Sequence, residues 1–313
     1  MAVTNFIQQI WSKSILDSLE VACKLVQNCH REYEGDCKYA GSVKILGVGE
    51  PTVGNYVTGQ DIVIEDLSDE GQVLNIDQRK YFAFYVDDVD KAQSVPGLPE
   101  KYQEKSVHAL KVARDTFVAS LIKVANYVPT KDTTAVSGKS YYTKTNETTY
   151  ASVTPASGAN PANLGYYEAA SAHVTTATAK TEDAVAKAID DAIVALRERN
   201  FDEEGVIEIT PAVYNLFKHK LITLSTNNPE YIKKGIVGMY DDFEVIMSNN
   251  LAKDANHAYC AARGKKAIAF AGQLEKVEAC RAEKRFADIV KGLDVYGGKV
   301  IDNDRIQVIK VPV

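Results

Sequence analysis

The side chains best suited to chemistry in this chain are two groups of closely spaced acids. Asp87, Asp88 and Asp90 follow an aromatic stretch, and Asp302 and Asp304 form a second group near the C-terminus. Carboxylates at such spacing can bind calcium or magnesium. Consecutive acids after a strand are more often a solvated turn, because charged side chains are mostly exposed. We therefore predict no metal ion at either place.

The histidines and cysteines are scattered along the chain and show no spacing typical of metal ligands. The cysteines include no Cys-x-x-Cys pair, and their number is odd. We predict packing or surface histidines and reduced, partly buried thiols, with neither disulfides nor zinc. The residues concerned are His30, His108, His173, His219 and His257, and Cys23, Cys29, Cys37, Cys260 and Cys280.

The motifs of common enzyme classes do not occur in the chain. Gly47-Val48-Gly49 lacks the spacing of a dinucleotide-binding loop and a following helix, so a flexible hairpin is the better interpretation. No GxxxxGK[ST], HExxH or GxSxG motif is found. We predict that the chain has no catalytic, cofactor-binding or metal-binding residue, that it needs no cofactor, and that it is not an enzyme.

Composition and charge are those of an ordinary globular protein. The chain has 313 residues, of which 45% are hydrophobic and 25% charged, and its formal charge is −6. This length predicts about two domains, and the negative charge argues against a dedicated nucleic-acid binder. There is no apolar run of roughly 18 residues that would span a membrane. The N-terminus lacks the features of a signal peptide, which indicates a cytoplasmic protein.

Apolar periodicity predicts several amphipathic helices. In each, hydrophobic residues recur at three- and four-residue steps and would line one face. Thr181 is a suitable N-cap for one helix, and Pro211 stands at the first position of another. The predicted helices cover residues 5–29, about 100–125, about 182–199 and the segment that starts at Pro211.

A Gly-punctuated β excursion precedes the long helix. Within residues 35–75 we predict strands at 42–48 and 61–66 and a turn at 69–71. Residues 76–93 then alternate rings with small residues, which predicts a strand covered, at least in part, on both faces. The excursion has too little apolar content to fold alone. We therefore expect it to dock on another copy of the chain.

The rest of the chain consists of two regions that differ in composition and periodicity. Residues 127–178 are rich in Thr, Ser, Ala, Gly, Asn and Tyr and show no periodicity, which indicates a surface insertion or long loop. Short strands are expected within it near 140–143 and 148–150. The remainder predicts an α/β half, with strands at 205–209, 243–247, 267–271, about 292–301 and about 306–311.

This order of elements resembles the major capsid protein of tailed bacteriophages, which has the Hong Kong 97-like fold. The most specific stretches are Ile76 to Gln93, with its Val-Asp-Asp-Val-Asp run, and Phe286 to Val300. The resemblance covers nearly the whole chain apart from residues 127–178. It implies an α+β fold with two arms and two domains.

The resemblance also implies how the chain divides. The expected parts are an N-terminal arm at 1–34, an extended β-hairpin (the E-loop) at 35–75, a peripheral domain at 76–126 with a spine helix at 100–125, an insertion or surface loop at 127–180, a further peripheral helix at 181–200, an axial domain at 201–285, and terminal strands at 286–313 that return to the peripheral domain.

The function implied is that of a structural protein. Pentamers and hexamers of the chain would form the icosahedral head, enclose double-stranded DNA without sequence-specific binding and involve no membrane. We expect a portal and, because the arm starts at the first residues, a separate scaffolding protein. No residue pair indicates a crosslink. The protein would be part of the virion and would assemble in the cytoplasm of the bacterial host.

Two other functions stay open at the level of sequence. An encapsulin-like nanocompartment shell would have the same fold and would enclose an enzyme instead of DNA. A soluble α/β enzyme with an unrecognised site would be a small oligomer, whereas a shell protein would form large particles.

Overall fold

The protein has a mixed α/β fold, in which the described residues form three α-helices and sheets of two, six, three and four strands. The helices are α1 (Leu98–Val124), α2 (Glu182–Arg197) and α3 (Pro211–Thr223). The computed structural model describes residues 23–34, 41–48, 69–87, 98–132, 134–136, 139–156, 158–223, 238–282 and 286–313.

The strands are numbered in chain order. They are β1 (Ser42–Val48), β2 (Asp69–Asn75), β3 (Gln78–Asp87), β4 (Tyr127–Pro129), β5 (Tyr141–Asn146), β6 (Thr149–Val153), β7 (Tyr167–Ala169), β8 (Val174–Thr176), β9 (Gly205–Ile209), β10 (Met239–Tyr240), β11 (Phe243–Met247), β12 (His257–Gly264), β13 (Ile268–Arg281), β14 (Ala287–Val300) and β15 (Ile306–Pro312).

The helices predicted from periodicity beyond residue 98 are confirmed. The hydroxyl oxygen of Thr181 accepts a hydrogen bond from the backbone N–H of Ala184 at 3.4 Å, so it is the predicted N-cap of α2. Pro211 is the first residue of α3. The N-terminal prediction is different: Val26–Asn28 forms a single 3₁₀ turn instead of an α-helix. Residues 5–22 of that predicted helix lie outside the described residues.

A six-stranded sheet forms the centre of the fold. Its order is β10-β11-β9-β12-β15-β8, and it is mixed, because β9 runs parallel to β11 and antiparallel to β12. Successive side chains of a strand point to opposite faces. Tyr259 and Ala261 of β12 therefore pack towards α1, while Cys260 and Ala262 pack towards α2 and α3. The sheet is covered by helices on both faces.

Contacts in this layer group several elements differently from the expected division of the chain, which itself stays a prediction. α2 was grouped with the spine helix, but it packs against α3 and the six-stranded sheet. β15 was expected to return to the peripheral domain, but it pairs with β12 inside that sheet. β13, which was placed in the 201–285 unit, pairs with β14 instead.

A three-stranded antiparallel sheet of order β13-β14-β3 lies beside the central layer. The separate β1–β2 hairpin packs on the first residues of β13, where Ile45 and Leu74 contact Ala269 and Ala271. The turn expected at residues 69–71 is wrong, since these residues begin β2 and pair with β1. The predicted strand at 61–66 lies outside the described residues.

The insertion is a small sheet of its own. The four strands, in the order β4-β7-β5-β6, span residues 127–169 and include the two short strands that were expected there. The segment is therefore more than a long loop. Its end belongs elsewhere, because β8 joins the central sheet by pairing in parallel with β15.

Truncation of Phe84 on β3 should measure how much its ring contributes to the stability of the subunit. Its ring is half-buried and stacks on Phe82 with centroids 6.2 Å apart. A partly exposed ring loses less on truncation than a core ring, so Phe84→Ala should lower the free energy of unfolding by about 1–2 kcal/mol. Urea unfolding of the subunit measures this value. A loss of about 4 kcal/mol would place Phe84 in the core.

Candidate assembly surface

Two strongly exposed aromatic side chains lie on one face of the three-stranded sheet. Tyr81 and Tyr85 of β3 are 80% and 62% exposed, and Ala83 lies between them. Directly opposite on β14 are Leu293, which pairs with Tyr81, and Ile289, which pairs with Tyr85. Direct cross-strand partners point to the same face. We call these five residues the tyrosine face.

In the single subunit the tyrosine face is exposed, whereas the sequence predicted that β3 is covered, at least in part, on both faces. The opposite face of β3 turns Phe82 and Phe84 inwards, and Phe82 packs against the core that includes α1. The Phe82 ring lies directly over Gly292 of β14, where any Cβ would overlap it. A side chain at position 292 would therefore displace the Phe82 ring from its place over β14.

A buried ion pair holds the three-stranded sheet to α1. The Arg114 side chain donates to both carboxylate oxygens of Asp294 on β14, with Nε to Oδ2 at 2.8 Å. The Asp294 side chain is fully buried. The guanidinium also lies about 6 Å from the ring centroids of Phe270 and Tyr296. Bidentate geometry and two aromatic contacts restrain the sheet, and hence the tyrosine face, relative to the helix.

The short segment that follows residue 22 is hydrogen-bonded by buried charged side chains from two neighbouring elements. We call residues 24–29 the anchor segment. At its start, the carboxylate of Asp115 on α1 accepts hydrogen bonds from the backbone N–H groups of Lys24 and Leu25 at 3.4 and 3.3 Å. Burial raises the pKa of Asp115, while the hydrogen bonds it accepts favour its charged form.

Arg263 on β12 holds the other end of the anchor segment. Its guanidinium donates to the carbonyl oxygens of Asn28 and Leu25 at 2.7 and 3.2 Å. The same group forms a bidentate pair with Glu208 on β9, at 3.0 and 2.7 Å. Both side chains are completely buried. The charges thus match the polarity of the segment, with a carboxylate at its N–H end and a guanidinium at its carbonyl end.

Neither acidic group singled out in the sequence gathers a set of metal ligands in the described residues. Asp87 ends β3, and Asp88 and Asp90 lie outside the described residues. Asp302 accepts from Arg305 at 2.9 Å, and Asp304 lies 3.6 Å from the ring of His173. Within the described residues, no three His, Cys, Asp or Glu side chains come together as a metal site. The absence of catalytic and cofactor residues stays a prediction.

The histidines and cysteines that the structure describes agree with packing roles where they are buried. His173 lies against Arg199, and burial followed by that charge lowers its pKa. Cys23, Cys29 and Cys260 are buried, Cys280 is exposed, and all four are reduced. Cys37 lies outside the described residues.

No helix in the described part of the chain is long and apolar enough to cross a membrane.

Solved structures with a similar fold include several from phages and their capsids. One is a chain of Mycobacterium phage Che8, which matches with a TM-score of 0.67 and 25% identity over 92% of this chain and 90% of that chain. Another is from the capsid of cyanophage P-SCSP1u, with a TM-score of 0.61 and 16% identity over 87% and 84%. The chain has the phage capsid fold.

The resemblance seen in the sequence is thereby confirmed, and so is the mixed α/β class. The capsid fold also occurs in a virus-like particle from Pyrococcus furiosus, which matches with a TM-score of 0.53 and 12% identity over 97% of this chain and 99% of that chain. Comparison with protein-family profiles and with curated protein sequences gives no match.

Proposed function

We propose that this chain is the major capsid protein of a tailed phage. Its copies would assemble as pentamers and hexamers into an icosahedral head that encloses double-stranded DNA. The observation that carries the proposal is the match to phage capsid chains over nearly their whole length. The role is structural, with no catalytic step assigned to any residue.

The tyrosine face supports the proposal because it has the composition of a protein interface. Aromatic residues are enriched where protein chains meet. Lys291 pairs with Ala83 on the same face, and its ammonium lies 3.0 Å from the Glu278 carboxylate, so the face combines aromatic side chains with an ion pair. A closed shell requires one patch to meet a different patch on the next copy. We assign the tyrosine face to such a contact with another copy of this chain.

The proposed parts of the capsid subunit follow the observed contacts. Residues 1–34 would be the N-terminal arm, attached at the anchor segment. Residues 35–75 would be the E-loop, with β1 and β2 as its paired base. Residues 49–68 connect Val48 to its partner Asp69, which is far more chain than the two to five residues of an ordinary hairpin turn. We propose that this extra length reaches an adjacent subunit.

The two domains take revised boundaries in this proposal. The peripheral domain would combine α1, as the spine helix, with the sheet of β3, β13 and β14. The axial domain would combine the six-stranded sheet with α2 and α3. The four-stranded sheet would be an addition to this plan.

The expected partners and location follow from the same proposal. The head would be built in the cytoplasm of the bacterial host, with a separate scaffolding protein and a portal, and the chain would remain in the virion. The net charge of −6 fits a container, because an acidic wall does not hold the DNA that it encloses.

Charge placed on the tyrosine face should prevent assembly without unfolding the subunit. Tyr81→Lys and Tyr85→Lys change exposed side chains, so each should alter the free energy of unfolding by less than about 0.5 kcal/mol. A buried, unpaired ammonium in a shell contact costs far more, so sedimentation velocity should detect subunits and no particles.

A matched control for these variants is Leu164→Lys. Leu164 is 55% exposed and lies in the insertion, between β6 and β7. This variant should still form particles. Normal particles from both tyrosine variants would show that the tyrosine face is not an interface.

A nanocompartment shell is the second candidate function, because the match to the Pyrococcus furiosus virus-like particle covers almost all of both chains. The contents of native particles separate the two functions. Double-stranded DNA and a portal are expected for a phage head, whereas a single enclosed enzyme would indicate a nanocompartment.

A further inference from the structure

A basic pocket lies where the insertion meets the body of the protein. It is a cavity of about 230 Å³ between the end of α1, strands β12 and β15 of the central sheet and the β5–β6 hairpin. We call it the lysine pocket. Its lining includes Lys123, Lys310, Tyr127, Thr149, Tyr150 and Tyr259.

Two ammonium groups in this pocket share one aromatic ring. The Nζ atoms of Lys123 and Lys310 lie 5.1 and 5.7 Å from the centroid of the Tyr259 ring. Lys310 and Tyr259 are direct cross-strand partners, whereas Lys123 comes from the last turn of α1. Two different elements therefore bring positive charge to the same place.

The positive charge of the lysine pocket is incompletely balanced. Its lining contains two lysines and no carboxylate. Within the part of the chain that the structure describes, no carboxylate lies within ion-pair distance of Lys123 or Lys310. The nearby Asp254 accepts a hydrogen bond from the Tyr259 hydroxyl at 2.6 Å, and this bond helps to hold the pKa of Asp254 at about 2. Lys123 also acts on Asp254 electrostatically, whereas Glu147, which acts on Tyr150, is paired with Lys144.

The other walls of the pocket give it shape and partial shielding from water. Tyr127 and Tyr150 stack with centroids 4.5 Å apart. Thr149 and Tyr150 belong to β6, so hydroxyl-bearing residues approach from a third element. An aromatic wall lowers the local dielectric constant and strengthens the attraction between the lysines and an anion.

We propose that the lysine pocket binds a single phosphate group. A tetrahedral group with several acceptor oxygens can be contacted by two ammonium groups and by hydroxyl groups from a third direction at once. A planar carboxylate has only two oxygens to offer. Lysine is a common point-charge ligand of phosphate in proteins. A phosphate bound here would join the four-stranded sheet to α1 and β15, and this inference does not depend on assembly.

Isothermal titration calorimetry tests the proposal. The full-length protein is titrated with inorganic phosphate at constant ionic strength. We expect saturable binding with a dissociation constant on the order of 1 mM. Lys123→Gln and Lys310→Gln should each weaken it about tenfold, the equivalent of about 1.4 kcal/mol. Lys265→Gln, which changes an exposed lysine outside the pocket, should leave it unchanged.

Two further ligands identify the source of the phosphate. Tighter binding of deoxyadenosine monophosphate than of inorganic phosphate would indicate a nucleotide, and equal binding would indicate the free ion. Because the two lysines lie on different elements, misfolding of one variant, detected by circular dichroism, leaves the other as the test. Absence of saturable binding, or binding that persists in every folded variant, would overturn the proposal. The proposal would also be overturned if a single-stranded oligonucleotide bound both variants as tightly as it binds the wild type.

Discussion

Replacing Arg263 with methionine is expected to lower the free energy of unfolding of the subunit by about 3–5 kcal/mol. The substitution leaves the carboxylate of Glu208 buried without its partner, and both side chains are completely inaccessible in the wild type. It also removes the donor to the carbonyl oxygens of Asn28 and Leu25. Urea unfolding of the unassembled subunit, followed by circular dichroism, measures the change.

Two further variants separate the charge effect from the loss of packing. Arg263→Met combined with Glu208→Leu removes both charges, so it should be less destabilised than the single variant. Arg305 forms an exposed pair with Glu203 at 2.8 Å, and Arg305→Met should cost less than about 1 kcal/mol. If Arg263→Met were as mild as Arg305→Met, Arg263 would not be the main support of the anchor segment.

The anchor segment gives this prediction a second readout. In both Arg263 variants, residues 24–29 lose their carbonyl-side partner but keep the contacts with Asp115. Limited proteolysis should therefore cut near the anchor segment faster than in the wild type, even where the double variant recovers stability. Unchanged cleavage in a destabilised protein would confine the role of Arg263 to its pair with Glu208.

Removing residues 49–68 is expected to abolish particle formation and to leave a folded subunit. In this variant a two-residue Asn-Gly turn joins β1 to β2, which suits antiparallel strands. The paired register from Ser42 with Asn75 to Val48 with Asp69 stays intact, as does the contact of Ile45 and Leu74 with the body. Size-exclusion chromatography and electron microscopy would report the loss of shells.

A second variant distinguishes chain length from side-chain contacts. Replacing residues 49–68 by a Gly/Ser segment of equal length keeps the reach but removes the side chains. We expect this variant also to fail, because an interface needs buried anchor residues. Normal shells from the deletion would show that the proposed E-loop makes no essential intersubunit contact.

Local signals in the sequence were sufficient for the helices beyond residue 98 and for several strands. Thr181 and the acids that follow it define the start of α2, and Pro211 defines that of α3. These features depend on residues that are neighbours in the chain. The aromatic alternation of β3 was also recognised, although its outer face is exposed.

The pairing of strands that are distant in the chain could not be predicted from local signals. No strand was predicted at β12, because alanine-rich segments such as Ala258 to Ala262 have low β propensity, yet β12 is central to the main sheet. The packing of α2 and the pairing of β15 could not be predicted, because sheet order depends on contacts between distant residues. The insertion lacked periodicity because its strands pack through a tyrosine cluster rather than an alternating apolar face.

The buried pair of Glu208 and Arg263 did leave a signal that was missed. Glu208 interrupts the apolar run Val206, Ile207 and Ile209, all of them buried. A charged residue in the middle of a buried strand is almost always paired. The identity of its partner, which is far away in sequence, could come only from the structure.

Electron microscopy of the full chain after expression in bacteria tests the central claim most directly. We expect closed shells of uniform size, with or without an added scaffolding protein, because the chain has the capsid fold and exposes an aromatic face suited to contact with its own copies. A protein that stays a folded monomer or a small oligomer under all assembly conditions, with residues 49–68 packed on its own body, would contradict it.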